Sequence, residues 1–336
     1  MTGDAHPQPS RIEEANQTLH GLLTEIQRVI IGQGELVRGV LVGLLCDGNL
    51  LLEGEPGLGK TLLVKVLADT IQLRFSRIQF TPDLMPSDIT GTQVLVDEAS
   101  GPPTLQFQPG PLFANLVLAD EINRATPKTQ AALLEAMQEQ SVTIGGERRV
   151  LSAPFMVIAT QNPIEMEGTY PLPEAQLDRF LLKLTVPFPS LEVLRRIGLQ
   201  TTGVHAITAR PVLDREGLLA LQRLTREIVV GPHIAELAAR LVVATHPRGE
   251  LAPEIVRRYV RYGASPRAMQ GLLMASRAEA LLSGRAWVDV EDVIKVAPAV
   301  LRHRLGLAFE ADLEGISADR VVAEVVASVS APPQQR

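Results

Sequence analysis

Residues 54–61 read Gly54-Glu55-Pro56-Gly57-Leu58-Gly59-Lys60-Thr61, a GxxxxGKT pattern whose residue types suit phosphate binding. Glycines let the backbone curl until successive N–H groups converge on phosphate oxygens, and a helix opening at Lys60 adds its positive dipole end. In such a loop Lys60 reaches β- and γ-phosphates and the Thr61 hydroxyl joins a Mg²⁺ shell. By chance the bare pattern would turn up in roughly one chain in a hundred of this size. The apolar run Leu50 to Leu52 before it and the apolar-rich segment Leu62 to Ile71 after it supply the strand and helix that a phosphate loop requires.

Two carboxylates follow at a second strand end. Asn115 to Ala119 leads into Asp120-Glu121, the pattern of a buried parallel strand ending at a site. Asp120 can hold a metal shell there, while Glu121, facing the other way, can polarise a water. Taken alone, either could cap a following helix. Phe155 to Asn162 repeats the arrangement: Asn162 could bond a γ-phosphate or an attacking water, or simply form a turn. Arg179, before the apolar segment Phe180 to Val186, reads either as a surface ion-pair partner or as a positive charge offered to a neighbouring subunit's phosphate. Ser265-Pro266 reads as a cap and first-turn proline, which lets Arg267 project past the helix end. Ile31-Gly32 could lay apolar atoms against a base, or be a plain interhelical turn.

The elements that must position these residues follow from periodicity. Helical stripes cover Ile12 to Ile30 and Glu35 to Cys46, and apolar strands at 50–52, 74–80, 115–120, 155–161 and 180–186 alternate with helices, predicting an α/β fold on a five-stranded parallel sheet. Thr126-Pro127 predicts a helix through Met137, with Thr126 as its cap. Val94 to Val96 and Thr104 to Phe107 flank a turn-rich stretch, 97–103, and predict a hairpin. Val142 to Leu151, with Gly145-Gly146 between its halves, predicts another, with Arg148 and Arg149 open to solvent. Strand and helix alternation stops around Pro187. Helices are then expected at 214–228, 232–244, 253–262, 265–282 and 289–305, with Gly284 closing the fourth, Trp287 in their core and a frayed tail from Ser330. The expected division is 1–189, a nucleotide-binding core; 190–212, a linker; and 213–336, a helical lid.

Composition narrows the class. With 46% hydrophobic and only 4% aromatic residues, the core must be aliphatic. A net charge of −6 argues against a nucleic-acid-coating surface. Cys46, the single cysteine, sits in an apolar run, where a buried thiol in a reducing cytoplasm is the expectation. The six histidines show no metal-ligand spacing, the N-terminus has no basic leader with an apolar stretch, and no apolar run approaches the ~20 residues of a membrane span.

Taken together, GEPGLGKT, NLVLADEINRA, VIATQNP, LPEAQLDRF and GASPRA resemble the AAA+ ATPases, and specifically the MoxR family. The likeness runs from about Gln27 to the last helices. Its most specific marks are RIQFTPDLMPSDITG (77–91) and GPLFANLVLADEINRATPKTQAALLEAMQE (110–139). The resemblance implies a P-loop αβα sandwich followed by a helical lid, using ATP and Mg²⁺. It makes Gly54 to Thr61 the Walker A loop, with Glu55, Pro56, Gly57, Leu58, Gly59, Lys60, Thr61 and Leu62 against the nucleotide. Thr61 and Asp120 become metal ligands, Glu121 the Walker B base and Asn162 sensor 1. Arg179 becomes a finger acting in trans, Arg267 a sensor 2 acting on its own subunit's nucleotide, and Ile31 and Gly32 the adenine-side turn. The hairpins correspond to inserts facing a ring pore. A homo-oligomeric, usually hexameric ring is implied, remodelling or maturing a client, often with a partner carrying a von Willebrand factor A domain. The rival readings are a nucleic-acid motor, with Arg148, Arg149, Arg257, Arg258 and Arg261 as its evidence, a nucleotide-gated scaffold, and a magnesium-chelatase motor subunit.

Overall fold

A computed structural model describes residues 7–96, 103–162, 168–202 and 207–330. The first half runs α1 (Pro9–Val29), α2 (Gly34–Leu45), β1 (Leu50–Glu53), α3 (Lys60–Thr70), β2 (Phe75–Gln79), α4 (Pro86–Thr90), β3 (Gly91–Val96), β4 (Thr104–Pro109), β5 (Leu116–Asp120), α5 (Pro127–Glu139), β6 (Ser141–Ile144), β7 (Glu147–Val150), β8 (Met156–Gln161), α6 (Glu174–Leu177) and β9 (Leu182–Thr185). It continues through α7 (Leu191–Thr201), α8 (Arg215–Glu227), α9 (Pro232–Ala244), α10 (Glu254–Tyr259), β10 (Val260–Tyr262), α11 (Pro266–Leu282), α12 (Val290–Leu301), β11 (Gly306–Leu307), α13 (Phe309–Leu313) and α14 (Ala318–Ser330).

The central sheet has the expected five strands in the order β2-β5-β8-β1-β9, all parallel. Its three inner strands, β1, β5 and β8, are near-continuous apolar runs because both faces are covered, whereas the edge strands β2 and β9 carry polar residues. Leu50, Leu52, Leu116, Leu118, Met156 and Ile158 face α1 to α3, while Leu51, Val117, Ala119, Val157 and Ala159 face α5. This alternation follows from the two-residue strand period. Register places Gln79 opposite Asp120, and Leu52 opposite Thr160, so the polar strand ends gather along one edge.

The second half packs on the first through one continuous apolar cluster that joins sheet residues Leu182 and Leu184 to Leu272 and Val300. Polar stitches reinforce the contact. Asn16 on α1 donates to the carbonyls of Leu281 (3.4 Å) and Leu282 (3.1 Å), and Arg11 pairs with Glu227 at 2.8 Å. Arg38 on α2 pairs with the buried carboxylate of Glu279 at 2.6 Å.

Several local expectations change. Thr126 stands at the N-cap position of α5 but makes no side-chain cap bond; its hydroxyl lies 3.5 Å from that of Thr129. Residues 190–212, expected as a linker, contain α7, whose N-cap Ser190 accepts from the Val193 N–H. The helix expected over 289–305 stops at Leu301, and the chain then turns so that His303 and Arg304 point back to the core. A short antiparallel ladder, β10 with β11, interrupts the helices. Trp287, expected in the core, is 56% exposed. The turn after β3 and the tail beyond Ser330 lie outside the described residues.

Candidate active site

The loop between β1 and α3 turns through two left-handed glycines, Gly57 (φ +82°) and Gly59 (φ +80°). A Cβ on either would meet nothing within 4 Å, so backbone conformation rather than crowding requires glycine, and the loop frames open space. Gly54 is different: a Cβ there would lie 2.8 Å from the Val186 Cβ and 2.9 Å from its carbonyl oxygen. The Lys60 ammonium donates to the carbonyls of Gly54 (2.5 Å) and Glu55 (2.9 Å). Desolvation lowers its pKa, opposed by the charges of Asp120 and Glu121.

Asp120, at the end of β5, is buried and fully engaged. One oxygen accepts from the Thr160 hydroxyl at 2.6 Å and the other from Arg77 Nη2 at 2.8 Å. Glu121 leaves the strand in left-handed geometry (φ +57°), its N–H donating to Thr160 Oγ1 at 2.8 Å. Its carboxylate accepts from Gln79 Nε2 at 2.9 Å and pairs with Arg124 at 3.0 Å, while Gln79 Oε1 accepts from Arg77 at 2.7 Å. Two side chains of β2 thus straddle both carboxylates. The sequence reading missed Arg77, Gln79 and Thr160; the available signal was that Arg77 and Gln79 share a strand face beside Asp120.

These groups and the buried Asn162 line one cleft of about 410 Å³ with Pro56 to Leu62. A second, more apolar cleft of about 310 Å³ adjoins it along the same loop. Ile31 lies there with Leu58, Leu62 and Phe188, and α7 closes it with Leu194 and Ile197. Gly32 (φ +76°) lies against α7, where a Cβ would come within 2.5 Å of the Val193 methyls. The contribution of α7 was not foreseen. Glu55 is exposed and meets Lys60 through its carbonyl.

Arg179 and Arg267 line neither of these clefts. They share a third, of about 320 Å³, with Asp178 and Arg304. Arg179 donates to the Leu134 carbonyl at 2.9 Å, and its buried Nε has no partner among the described residues. Arg267 Nη1 is 3.7 Å from Asp178 Oδ2. Arg267 thus lies at the Asp178 cleft, apart from the residues that line its own chain's phosphate loop. The Ser265 hydroxyl donates to Asp178 at 2.8 Å and ties the start of α11 to the residue before Arg179.

The two hairpins, β3 with β4 and β6 with β7, pack together. The Arg149 guanidinium lies 4.0 Å over the Phe107 ring and pairs with Glu147 at 2.6 Å, so it is half-buried rather than open. Leu95 and Leu105, directly opposed across β3 and β4, are each 65% exposed. The basic run on α10 and β10 is engaged: Arg258 pairs with Glu314, Arg261 with Glu174, and Arg257 donates to the carbonyls of Gly249 and Ala252. Burial pushes the Cys46 thiol up to about 12. Among the described residues no His, Cys, Asp and Glu group has metal-binding geometry, and no helix is long and apolar enough to cross a membrane.

The chain is similar to known proteins in sequence and in fold. The profile of the ATPase family associated with various cellular activities (AAA) matches residues 49–182, and that of the AAA lid domain matches 252–325. Chaperone MoxR1 of Mycobacterium tuberculosis is 46% identical over 95% of this chain and 85% of its own. Protein MoxR of Paracoccus denitrificans is 32% identical over 89% of each chain. A crystal structure from Cytophaga hutchinsonii superposes with a TM-score of 0.88 at 37% identity, over 95% of this chain and 96% of its own.

Proposed function

The chain belongs to the MoxR family of AAA+ ATPases, chaperone-like proteins, and from that premise we propose that it hydrolyses ATP at sites shared between identical subunits of a ring. The observation that carries this reading is the separation of the parts. Lys60, Thr61, Asp120, Glu121 and Asn162 converge on one cleft, whereas Arg179 and Arg267 line another. A second copy that presents its arginine cleft to the phosphate cleft completes the site.

The residues present fit ATP and Mg²⁺. Open space over Gly57 and Gly59 leaves room for phosphate oxygens, and the Thr61 hydroxyl and Asp120 carboxylate are the hard oxygen donors that Mg²⁺ takes. On this reading the N–H groups of residues 57–61 and the Lys60 ammonium bind the β- and γ-phosphates, with Thr61 and Asp120 holding the metal. Bound Mg²⁺ offsets phosphate charge. Glu121 accepts a proton from the attacking water, Asn162 orients that water, and Arg179 stabilises the charge of the transition state from the next subunit. The shared cleft supports Arg267 acting from that same neighbour. The base lies in the apolar cleft against Ile31, Gly32 and α7. Residues 1–189 then form the nucleotide-binding core and 213–336 the lid, with 190–212 contributing the wall of the base cleft.

The ring is hexameric in this proposal and works in the cytoplasm, where the single buried thiol of Cys46 suits a reducing environment. Turnover moves the paired hairpins against a client protein, with a von Willebrand factor A domain protein as partner. Engagement of Arg257, Arg258 and Arg261 within the chain favours this output over a nucleic-acid motor. The test is ATPase rate against protein concentration for wild type and Arg179→Ala. Specific activity should rise with concentration and collapse by a factor on the order of 10³ or more in the variant. A rate that is independent of both concentration and Arg179 would sink the shared-site reading. An added von Willebrand factor A domain protein that leaves rate and assembly unchanged would remove the partner.

A further inference from the structure

Asp178 precedes Arg179 and receives the lid from two directions. Its Oδ1 accepts from Arg304 Nε at 2.9 Å, and its Oδ2 accepts from the Ser265 hydroxyl at 2.8 Å. Arg304 spends its remaining donors nearby, on the carbonyls of Phe180 (2.7 Å), Leu181 (3.1 Å), Asp178 (3.5 Å) and Val300. Its side chain is only 3% exposed. His303 adds a contact of 3.0 Å between its Nε2 and the Phe180 carbonyl. The turn after α12 and the start of α11 therefore grip residues 178–181 through one carboxylate and the carbonyls of Asp178, Phe180 and Leu181.

Arg179 lies inside that grip yet is itself lightly held, by one bond to the Leu134 carbonyl, with Nε unpartnered among the described residues. The point from which its side chain departs is thus set by the backbone on either side, which Arg304 and His303 hold at the Phe180 carbonyl. Arg267, two residues after Ser265 in the first turn of α11, lies 3.7 Å from the same carboxylate.

We propose that Asp178 is a positioning residue that sets Arg179 and Arg267 for the neighbouring subunit's ATP, so that the lid of one subunit controls hydrolysis in the next. The inference rests on the reading of Arg179 as acting in trans. It makes the lid's influence intermolecular: a lid displaced by its own nucleotide or by a client shifts residues 178–181 and withdraws the arginines from the adjacent site, leaving its own phosphate cleft intact.

The test is subunit mixing. Asp178→Asn keeps the shape of the side chain but weakens the pull on Arg304. The pure variant should lose kcat by a factor on the order of 100, the scale of a misplaced catalytic group, with unchanged affinity for a fluorescent ADP analogue. Mixing with Glu121→Gln subunits, which supply intact arginines but hydrolyse nothing themselves, should restore activity at the Asp178→Asn sites. Mixing with Arg179→Ala subunits should not. A purely structural defect would follow the variant's own site and resist rescue by either partner. Wild-type kcat in Asp178→Asn, or a loss that Glu121→Gln subunits leave unrepaired, overturns the inference while leaving Arg179 as a trans-acting group. Full activity in Arg179→Ala alone overturns the shared-site reading and this inference with it. Should Asp178→Asn not fold, Ser265→Ala removes the other arm of the clasp; it must show the same one-sided rescue, and a loss without that rescue counts against the proposal.

Discussion

Glu121 and Asp120 are sequence neighbours with opposite surroundings. Asp120 is buried, with both oxygens engaged, whereas Glu121 turns out of the strand at φ +57° into the amide of Gln79 and the guanidinium of Arg124. If Glu121 is the base, replacing it by Gln removes the proton acceptor and keeps the hydrogen-bonding shape. Glu121→Gln should slow single-turnover hydrolysis by a factor on the order of 10² to 10⁴, with nucleotide affinity intact in a fluorescent ADP titration. Hydrolysis within threefold of wild type would assign the base elsewhere. The phosphate loop was legible in the chain because its chemistry is local: eight consecutive residues carry the turn, the ammonium and the hydroxyl. Arg77, Gln79 and Thr160 were not, because their roles depend on register. Only strand pairing brings residue 79 opposite residue 120 and the Thr160 hydroxyl to the Glu121 N–H, about forty residues away in sequence.

Among elements, α7 shows what punctuation by proline conceals. Pro187, Pro189 and the polar stretch near Thr201 read as a boundary, yet Ser190 caps an amphipathic helix between them, and its apolar side closes the apolar cleft beside the loop of residues 56–62. The signal was present in Ser190 followed by Leu191, Leu194 and Ile197. The last helix, α14, was likewise not among the expected elements, although Val321, Val322, Val325 and Val329 stand at helical spacing and are all buried. Trp287 misled because large aromatic residues are usually buried, whereas this one only borders a single bridge to Val229. The tight seat of α7 on Gly32 is testable. Gly32→Ala forces an alanine to φ +76° and a methyl to within 2.5 Å of the Val193 methyls. The conformational part alone costs about 1–2 kcal/mol, and displacement of α7 should weaken nucleotide binding as well. Thermal melting and ADP titration should both shift, with Val193→Ala in the same chain recovering part of each. Unchanged affinity would remove α7 and its cleft from nucleotide binding.

The whole molecule is organised as two apolar clusters, one on each face of the sheet, and the lid belongs to the larger of them. His303 sits where lid and sheet meet, buried and neutral, with Nε2 at the Phe180 carbonyl and Nδ1 without a partner among the described residues. Burial and the neighbouring charges of Arg304, Lys183 and Arg302 hold its pKa well below the usual value, outweighing the bond to Phe180. Between that depressed value and about 6.5 the unfolded chain binds a proton that the folded chain refuses, so stability falls as pH drops through this window and is unaffected by this group above it. The melting temperature should decline from pH 7 to pH 5, and His303→Gln, which retains a donor for Phe180, should flatten that slope; an unaltered slope would place the proton uptake elsewhere. The fastening of α1 carries a further consequence. Because Asn16 and Arg11 hold it to α11 and α8 while its apolar side packs on α3, the first helix bridges both halves of the chain. Cutting the polypeptide between α7 and α8 would therefore yield a nicked particle that travels through a sizing column as one body, its two fragments parting only in denaturant. The halves cannot open like a clamshell about that connection unless α1 peels from one of them.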